Sequence, residues 1–201
     1  MNNIVNLYAI PLVVDTQIYK PTVEDISYLK KEPTKKAREN NVTESTSILE
    51  MDYFSNLKHV VNNSCNRYVK EVLEIKNEIY LASSWAAISK KGEKHHNHNH
   101  PGVFISCVFY LQCQTGNLIM TRPRSMLQEG FNFTYDIDKW NSYNCTKWEV
   151  PARTGDLVIF PGWLNHETSV NESDDDRIII GANYFLKGKL GTNEGLDVVN
   201  L

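Results

Sequence analysis

The sequence lacks the features that mark membrane-spanning, secreted and nucleic-acid-binding proteins. No apolar run approaches the roughly 18 residues that a membrane-spanning helix needs, and the first twenty residues lack the basic segment and long apolar core of a secretory signal. The formal net charge of -3 provides no basic excess for general nucleic-acid binding. We therefore expect a cytoplasmic protein that binds neither membranes nor, as its main partner, nucleic acid.

Cysteine is also scarce, with Cys65, Cys107, Cys113 and Cys145 as the four residues of this type and no C-x-x-C spacing between them. This pattern is typical of reduced thiols rather than of a disulfide framework. The chain has no internal repeat and no low-complexity linker, and 201 residues fit one domain. We expect a single domain over 1–201, with an N-terminal strand and supporting helices in 1–75, a β core in 76–187 and a loosely held tail in 188–201.

The N-terminal part combines a short strand pattern with helix patterns. Residues 8–14 form an apolar run that predicts an edge strand, and 21–46 predict a surface helix, broken at Pro33, plus a loop. The clearest helix pattern follows, with Thr46 or Ser47 as its cap and apolar residues at three- and four-residue spacing. These apolar residues are Ile48, Met51, Phe54, Leu57, Val60 and Val61, and the stripe resumes at Tyr68, Val72 and Leu73.

After residue 75 the apolar residues alternate with period two, which is typical of β-strands. The predicted strands are 78–89, 103–111, 117–121, 147–150, 156–160 and 177–186. A helical segment followed by many short strands predicts a mainly β fold, an antiparallel sandwich or barrel with helices against one face.

Histidine is concentrated in one short stretch, KHHNHNHPG, which contains His95, His96, His98 and His100, and a further histidine, His166, follows the strand 156–160. Alternation along a strand lets His98 and His100 point to one centre, to which His166 would add a third imidazole. His96 and His98 have the same spacing as His98 and His100, so His96 and His98 could be the pair of ligands instead. A solvated polar loop that binds metals opportunistically is the alternative. Imidazole suits iron, zinc, copper and nickel, so the residues alone do not name a metal.

The last predicted strand carries a basic group on one face, where Arg177, Ile179, Gly181, Asn183 and Phe185 alternate. A guanidinium buried at the end of a barrel strand is costly unless it meets an acid. The other strands offer no carboxylate at fitting parity, so we expect a carboxylate ligand held bidentately, with room for its carbon chain beside Gly181. Pairing of Arg177 with an aspartate in the preceding turn, 174–176, is the alternative.

These segments together resemble a known family. Their order and spacing are similar to those of the iron(II)/2-oxoglutarate-dependent oxygenases. The segments that carry the similarity are Trp85, HHNHNHPGVFISCVFYL, GNLIMTRPR, GDLVIFPGWLNHETSVN and RIIIGANYF. The resemblance is strongest to a branch of bacteria and tailed phages with the pattern HxHP…PR…FPxWLxH…R…N, and it covers about residues 78–186.

The resemblance implies a double-stranded β-helix, which is a jelly-roll barrel, and a dioxygenase that uses Fe(II), 2-oxoglutarate and O2. Oxidative decarboxylation of 2-oxoglutarate would be coupled to hydroxylation of a substrate. The metal ligands fall on His98, His100 and His166, and the residues that hold 2-oxoglutarate fall on Arg177 and Tyr110. Asn183 faces the same way as Arg177 and could bind the cofactor or be a structural amide. The wider family has a carboxylate where this chain has His100, so a three-histidine site is expected.

Several points stay open at this level. A cupin-like three-histidine metalloenzyme that does not use 2-oxoglutarate, or a non-catalytic metal-binding barrel, would fit the same histidines. The primary substrate could be a protein side chain, an amino acid, a nucleobase or a metabolite, and a homodimer stays open as well. Arg124 could receive an acidic or phosphorylated substrate or be a solvated loop arginine. The long irregular stretch 126–148 could form a substrate lid, and Trp85 and Ser83 are expected to be packing residues.

Overall fold

The computed structural model describes residues 4, 6, 9–123, 136–191 and 198–200, and the fold in these ranges is mainly β. The helices are α1 (Val23–Leu29) and α2 (Ser55–Arg67), with 3-10 turns at Ile48–Glu50 and Asp52–Phe54 and a π-helical turn at Tyr68–Val72. The strands are β1 (Val13–Asp15), β2 (Thr34–Ala37), β3 (Asn40–Thr43), β4 (Ile79–Ser89), β5 (Ile105–Gln112), β6 (Leu118–Thr121), β7 (Lys147–Val150), β8 (Leu157–Pro161), β9 (His166–Thr168), β10 (Arg177–Leu186), β11 (Lys189–Leu190) and β12 (Val199–Asn200).

Two antiparallel sheets form the body of the protein. The larger sheet has the order β1-β8-β5-β10-β4-β3-β2, and the smaller sheet has the order β7-β6-β9. In the tail, β11 and β12 pair with each other, a ladder that the sequence did not predict. None of the helices in the described ranges is long and apolar enough to cross a membrane.

Different elements pack against the two faces of the larger sheet. Side chains alternate along its strands, so neighbouring residues of one strand point to opposite faces. On β10, Ile178 and Ile180 point to the side of α1 and α2 and pack with Leu57 and Val61. Ile179 points to the opposite side, where the smaller sheet lies. The second core cluster forms there from residues of both sheets, namely Val108, Tyr110, Val158 and Phe160 of the larger sheet and Leu118, Met120 and Val150 of the smaller.

The predicted strands of the core are confirmed, but the helix predicted from residue 48 is wrong at its start. Two 3-10 turns occupy 48–54, and α2 begins at Ser55. Ser47 makes no capping hydrogen bond through its side chain; it forms a bridge with Ser84 instead, and the Leu49 N–H donates to the Ser84 hydroxyl at 2.8 Å. These contacts with β4 fix the backbone of the first turns and override the local helix preference.

The loop expected before residue 46 also contains an unpredicted hairpin. The surface helix α1 is present, with Thr22 as its cap, but β2 and β3 follow as a hairpin that extends the edge of the larger sheet next to β4. The edge strand β2, TKKA, is largely solvated, and the buried residues of β3, NNVT, are the polar Asn40 and Thr43, so neither strand shows apolar alternation. The four cysteines are buried and unbridged, as predicted.

Candidate metal centre

Three of the predicted histidines come together between the two sheets. His98, His100 and His166 each offer a ring nitrogen, and these nitrogens lie within 4.8 Å of one another. The backbone brings them together: His98 and His166 exchange two N–H···O hydrogen bonds of 2.9 and 2.8 Å, and the His100 N–H donates to the Gly162 carbonyl at 2.9 Å. The polar stretch before β5 therefore runs beside the segment that leads into β9.

The rings of two of these histidines are oriented by hydrogen bonds to backbone carbonyls. Nδ1 of His98 lies 2.8 Å from the His96 carbonyl, and Nδ1 of His166 lies 2.9 Å from the Leu164 carbonyl. Since a carbonyl only accepts, each Nδ1 carries the proton and each Nε2 keeps a free lone pair, as metal-ligating histidines require. The His100 ring packs against the indole of Trp85 at a centroid distance of 5.3 Å.

Burial keeps these imidazoles neutral. It lowers the pKa of His166 to about 3 and that of His100 to about 4, and it lowers the pKa of His98 as well. The mutual repulsion of protonated rings adds to the effect. At neutral pH the three ring nitrogens are thus available as ligands.

We expect the metal-free protein to lose stability steeply as the pH falls below about 6.5. His95 and His166, both with a pKa of about 3 in the folded state, and His100, with a pKa of about 4, take up protons near pH 6.5 once unfolded. Their stabilising contribution is complete above pH 6.5 and declines towards pH 3, at about 1.4 kcal/mol per pH unit for each proton taken up. Denaturant midpoints measured with a chelator between pH 7.5 and 4.5 test this; a flat profile would contradict it, and His100→Gln should reduce the slope.

The other two histidines of the cluster lie beside the group but outside it. His95 is buried, with Nδ1 3.1 Å from the amide oxygen of Asn40 on the unpredicted hairpin. His96 does not share the three-nitrogen group, and its Nδ1 is buried without a hydrogen-bond partner in the part of the chain that the structure describes. The geometry thus groups His98 with His100 rather than with His96.

Arg177 lies at the start of β10 and is only 2% exposed. Its Nη2 donates to the Thr168 hydroxyl at 2.8 Å, whereas Nη1 is buried and has no hydrogen-bond partner among the described residues. The aspartates of the preceding turn bind elsewhere: Asp174 pairs with Lys91 and Asp176 with Lys30, both at 2.7 Å, and Asp175 accepts from Gln114 at 2.9 Å. The guanidinium therefore has no carboxylate partner in the described ranges.

Tyr110 supplies a second unpartnered donor on the same inner face. It sits on β5 opposite Ile179, is fully buried, and its hydroxyl has no partner within the described ranges. Burial raises the pKa of the phenol, so it keeps its proton and can donate. Because unsatisfied buried donors are costly and rare, this pair indicates a place for an anionic acceptor.

Thr168 adds a third donor that the sequence did not single out. Its hydroxyl oxygen accepts from Arg177 Nη2 and from the His95 backbone N–H, both at 2.8 Å. A hydroxyl has two lone pairs and one hydrogen, so the hydrogen of Thr168 remains to be donated. The only available signal was parity, since Thr168 follows His166 by two residues on β9 and shares its face.

Two glycines make room for side chains of the site. A Cβ on Gly116 would lie 1.9 Å from Nη1 of Arg177, so this position has to be glycine while the guanidinium is there. The expected role of Gly181 was wrong: the space beside it is filled by the indole of Trp85, which a Cβ would meet at 2.7 Å. Trp85 lies opposite Gly181 on β4, and its indole packs against the ring of His100.

The remaining predicted residues stand farther from this group. Asn183 lies six residues beyond Arg177, on the order of 20 Å along the strand. Its amide oxygen accepts from the Ser106 hydroxyl at 2.8 Å, and its amide nitrogen has no partner in the described part of the chain. Ser83 pairs with Asn183 in register on β4. Arg124 and residues 126–135 of the expected lid lie outside the described residues.

Comparison with known proteins places about half of the chain in a known family. Residues 83–183, half of the chain, match the family model described as "Putative 2OG-Fe(II) oxygenase". No curated protein matches the sequence. The chain belongs to this 2OG-Fe(II) oxygenase family, whose cofactors are iron(II) and 2-oxoglutarate.

Solved structures of similar fold support the predicted architecture. The non-heme α-ketoglutarate-dependent carbocyclase SnoK from nogalamycin biosynthesis aligns with a TM-score of 0.62 at 15% identity, over 94% of this chain and 84% of that chain. HygX from Streptomyces hygroscopicus, crystallised with nickel, 2-oxoglutarate and hygromycin B, gives 0.60 at 14% identity, over 87% and 82%. A Pseudomonas putida prolyl-4-hydroxylase gives 0.54 at 14% identity, over 89% and 94%. At these identities they show the fold, which confirms the double-stranded β-helix.

Proposed function

We propose that the protein is a non-haem iron(II) dioxygenase that couples oxidative decarboxylation of 2-oxoglutarate to the hydroxylation of a substrate. The observation that carries the proposal is the coexistence, in one interior, of three convergent neutral imidazoles and a buried guanidinium without a counter-charge. In this proposal His98, His100 and His166 hold the metal, and Arg177 with Tyr110 holds the carboxylate of 2-oxoglutarate that is remote from the metal.

The residues present fit both groups. His98, His100 and His166 would hold iron(II) and would leave other ligand positions to a chelating co-substrate and dioxygen. Nη1 of Arg177 and the hydroxyl of Tyr110 have no hydrogen-bond partner among the described residues. Both can donate to a carboxylate that is buried away from water. When bound, iron(II) and 2-oxoglutarate together supply the reduction of dioxygen that drives substrate oxidation and yields succinate and carbon dioxide.

The protein's own residues then bind, orient and exclude water. Arg177 neutralises the remote carboxylate, and Tyr110, whose phenol stays protonated, donates to the same group. Fixing that end restricts how the rest of the molecule reaches the histidines. Asn183, whose amide N–H groups are free of protein partners in the described ranges, would donate to a ligand nearer the other end of the face.

Anaerobic reconstitution tests the proposed function directly. Fe(II) and 2-oxoglutarate added to the full chain should give a metal-to-ligand charge-transfer absorption band, and admission of oxygen should give succinate in proportion to the 2-oxoglutarate consumed. Pyruvate, which lacks the remote carboxylate, is the matched control and should bind much more weakly. Absence of both the band and succinate would reject the proposal.

The same experiment separates the alternative function. The all-histidine ligand set is the observation that favours a cupin-like metalloenzyme, in which the substrate itself binds the metal. Such an enzyme would leave 2-oxoglutarate unconsumed, and a non-catalytic barrel would bind metal without turnover. Stoichiometric succinate excludes both.

Thr168→Val should weaken 2-oxoglutarate binding about tenfold while iron binding is retained. Valine keeps the shape but removes a donor to the remote carboxylate and the acceptor for Arg177 Nη2. The dissociation constant for 2-oxoglutarate, measured anaerobically with Fe(II), gives the effect. Thr168→Ser should restore binding, and pyruvate binding should be insensitive to both changes; equal losses for both ligands would contradict the assignment.

A further inference from the structure

A cavity of about 830 Å³ lies between residues 9–14, the end of β6 and β7. The register of the smaller sheet connects it to the histidines. His166 pairs with Met120 and Met120 pairs with Trp148, so these three side chains form one row on one face of the sheet. Met120 and Trp148 line the cavity. With strands about 4.8 Å apart, the row places Trp148 about 10 Å from His166.

The walls of the cavity are mainly apolar. Ile10, Leu12 and Leu164 line it together with Met120 and pack with the second core cluster. Trp148 also lines it and is half exposed, so its indole offers a flat apolar surface to an entering molecule.

The charged side chains in these walls are already bonded within the protein. Lys147 forms an ion pair with Glu167 at 2.6 Å, and Glu149 accepts from the Asn117 amide at 2.9 Å. Nη1 of Arg122 donates to the backbone carbonyls of Tyr143 at 2.7 Å and of Cys145 at 3.5 Å. An ion entering the cavity would give up its hydration and meet groups that are already engaged, which is costly.

We infer that the primary substrate occupies this cavity and is a neutral molecule, or a neutral part of one, with an extended aromatic or otherwise apolar surface. The inference rests on the proposed function and narrows its substrate class. The volume lies within the range of about 300–1,000 Å³ of pockets that bury drug-sized ligands. Charged free amino acids and nucleotides do not match walls of this kind. Recognition comes from apolar contact and from stacking on Trp148, and the row through Met120 leads the substrate towards His166.

A matched set of three anthracene probes tests the chemistry of the cavity. The probes are 9-anthracenemethanol, which is neutral, anthracene-9-carboxylate and 9-(aminomethyl)anthracene, which share one ring system and differ in charge. The full chain without metal should bind the neutral probe at least about tenfold more tightly than either ion, with energy transfer from tryptophan that Trp148→Phe reduces. Equal or tighter binding of a charged probe would overturn the inference.

Variants locate the probe within the molecule. Met120→Trp fills the cavity next to His166 and should abolish binding, and Ile10→Trp does the same from the opposite wall if the first variant does not fold. Val72→Trp, on the helix-covered side, should bind as the parent does. Probe binding that is unaffected in folded Met120→Trp and Ile10→Trp would reject the cavity as the site.

Proximity to the metal group is measured separately. With Mn(II) on the protein, the proton signals of bound 9-anthracenemethanol should broaden strongly, and with Zn(II) they should not. Broadening absent with Mn(II) would overturn the inference. The probe binds without 2-oxoglutarate, so failure here is distinct from failure of the reconstitution with Fe(II) and 2-oxoglutarate, which would reject the proposed function itself.

Discussion

Replacement of Arg177 by methionine is expected to raise the dissociation constant for 2-oxoglutarate about 100-fold or more while iron binding stays intact. The guanidinium is buried and has no carboxylate partner in the described chain, so it is the charge that a diacid would meet there. Without it, the remote carboxylate would enter a dry interior unpaired, at a cost of about 3 kcal/mol or more. Methionine is unbranched and apolar, so it should fill the space without a new polar group.

Two further variants serve as controls for this test. Arg177→Lys keeps the charge but loses the second N–H that reaches Thr168, so we expect an intermediate loss. Lys91→Met removes an exposed lysine near the same turn, which pairs with Asp174, and should change nothing. The dissociation constants come from the charge-transfer band titrated anaerobically. Normal 2-oxoglutarate binding by Arg177→Met would contradict the assignment.

The strands of this fold could be predicted where their buried residues are apolar, and they were missed where the buried residues are polar or the strand is solvated. β4, β5, β8 and β10 follow the predicted ranges because burial fills these strands with apolar and β-branched residues. The hairpin β2–β3 lies at an edge and has no such pattern. The first turns after Ser47 were missed for a different reason, because their form depends on contacts with Ser84 that are distant in sequence.

The candidate site likewise contains residues that could be predicted from the sequence and residues that could not. Histidines and a strand-end arginine could be found from their chemistry and spacing, because few residues bind metals or carboxylates. Thr168 and Gly116 could not be found in that way. The role of Thr168 follows from counting the hydrogen bonds its oxygen already accepts, and that of Gly116 from the position of a guanidinium 61 residues away in sequence, from 116 to 177. Such roles exist only after the chain has folded.

The most severe loss of metal binding is expected for His166→Ala. It removes one of three ligands and leaves two imidazoles from a single short segment, so affinity for Fe(II) should fall at least about 100-fold, beyond the loss typical of residues that only support a ligand. Iron content after anaerobic loading and a competition titration with a chelator measure it. Retention of iron at the level of the parent protein would rule out His166 as a ligand.

Alanine at His96 and at His100 then decides the register of the other two ligands. His100 shares the three-nitrogen group and His96 does not, so His100→Ala should lose iron and His96→Ala should keep it; the reverse result would assign the site to His96 and His98. His100→Asp restores a third ligand and makes the site about one charge more negative, because aspartate ionises where histidine stays neutral. Iron binding should therefore return, and the Fe(III)/Fe(II) potential of the variant should lie below that of the parent protein, since the added negative charge favours the more highly charged ion. An unchanged potential in an iron-loaded variant would mean that position 100 does not bind the metal.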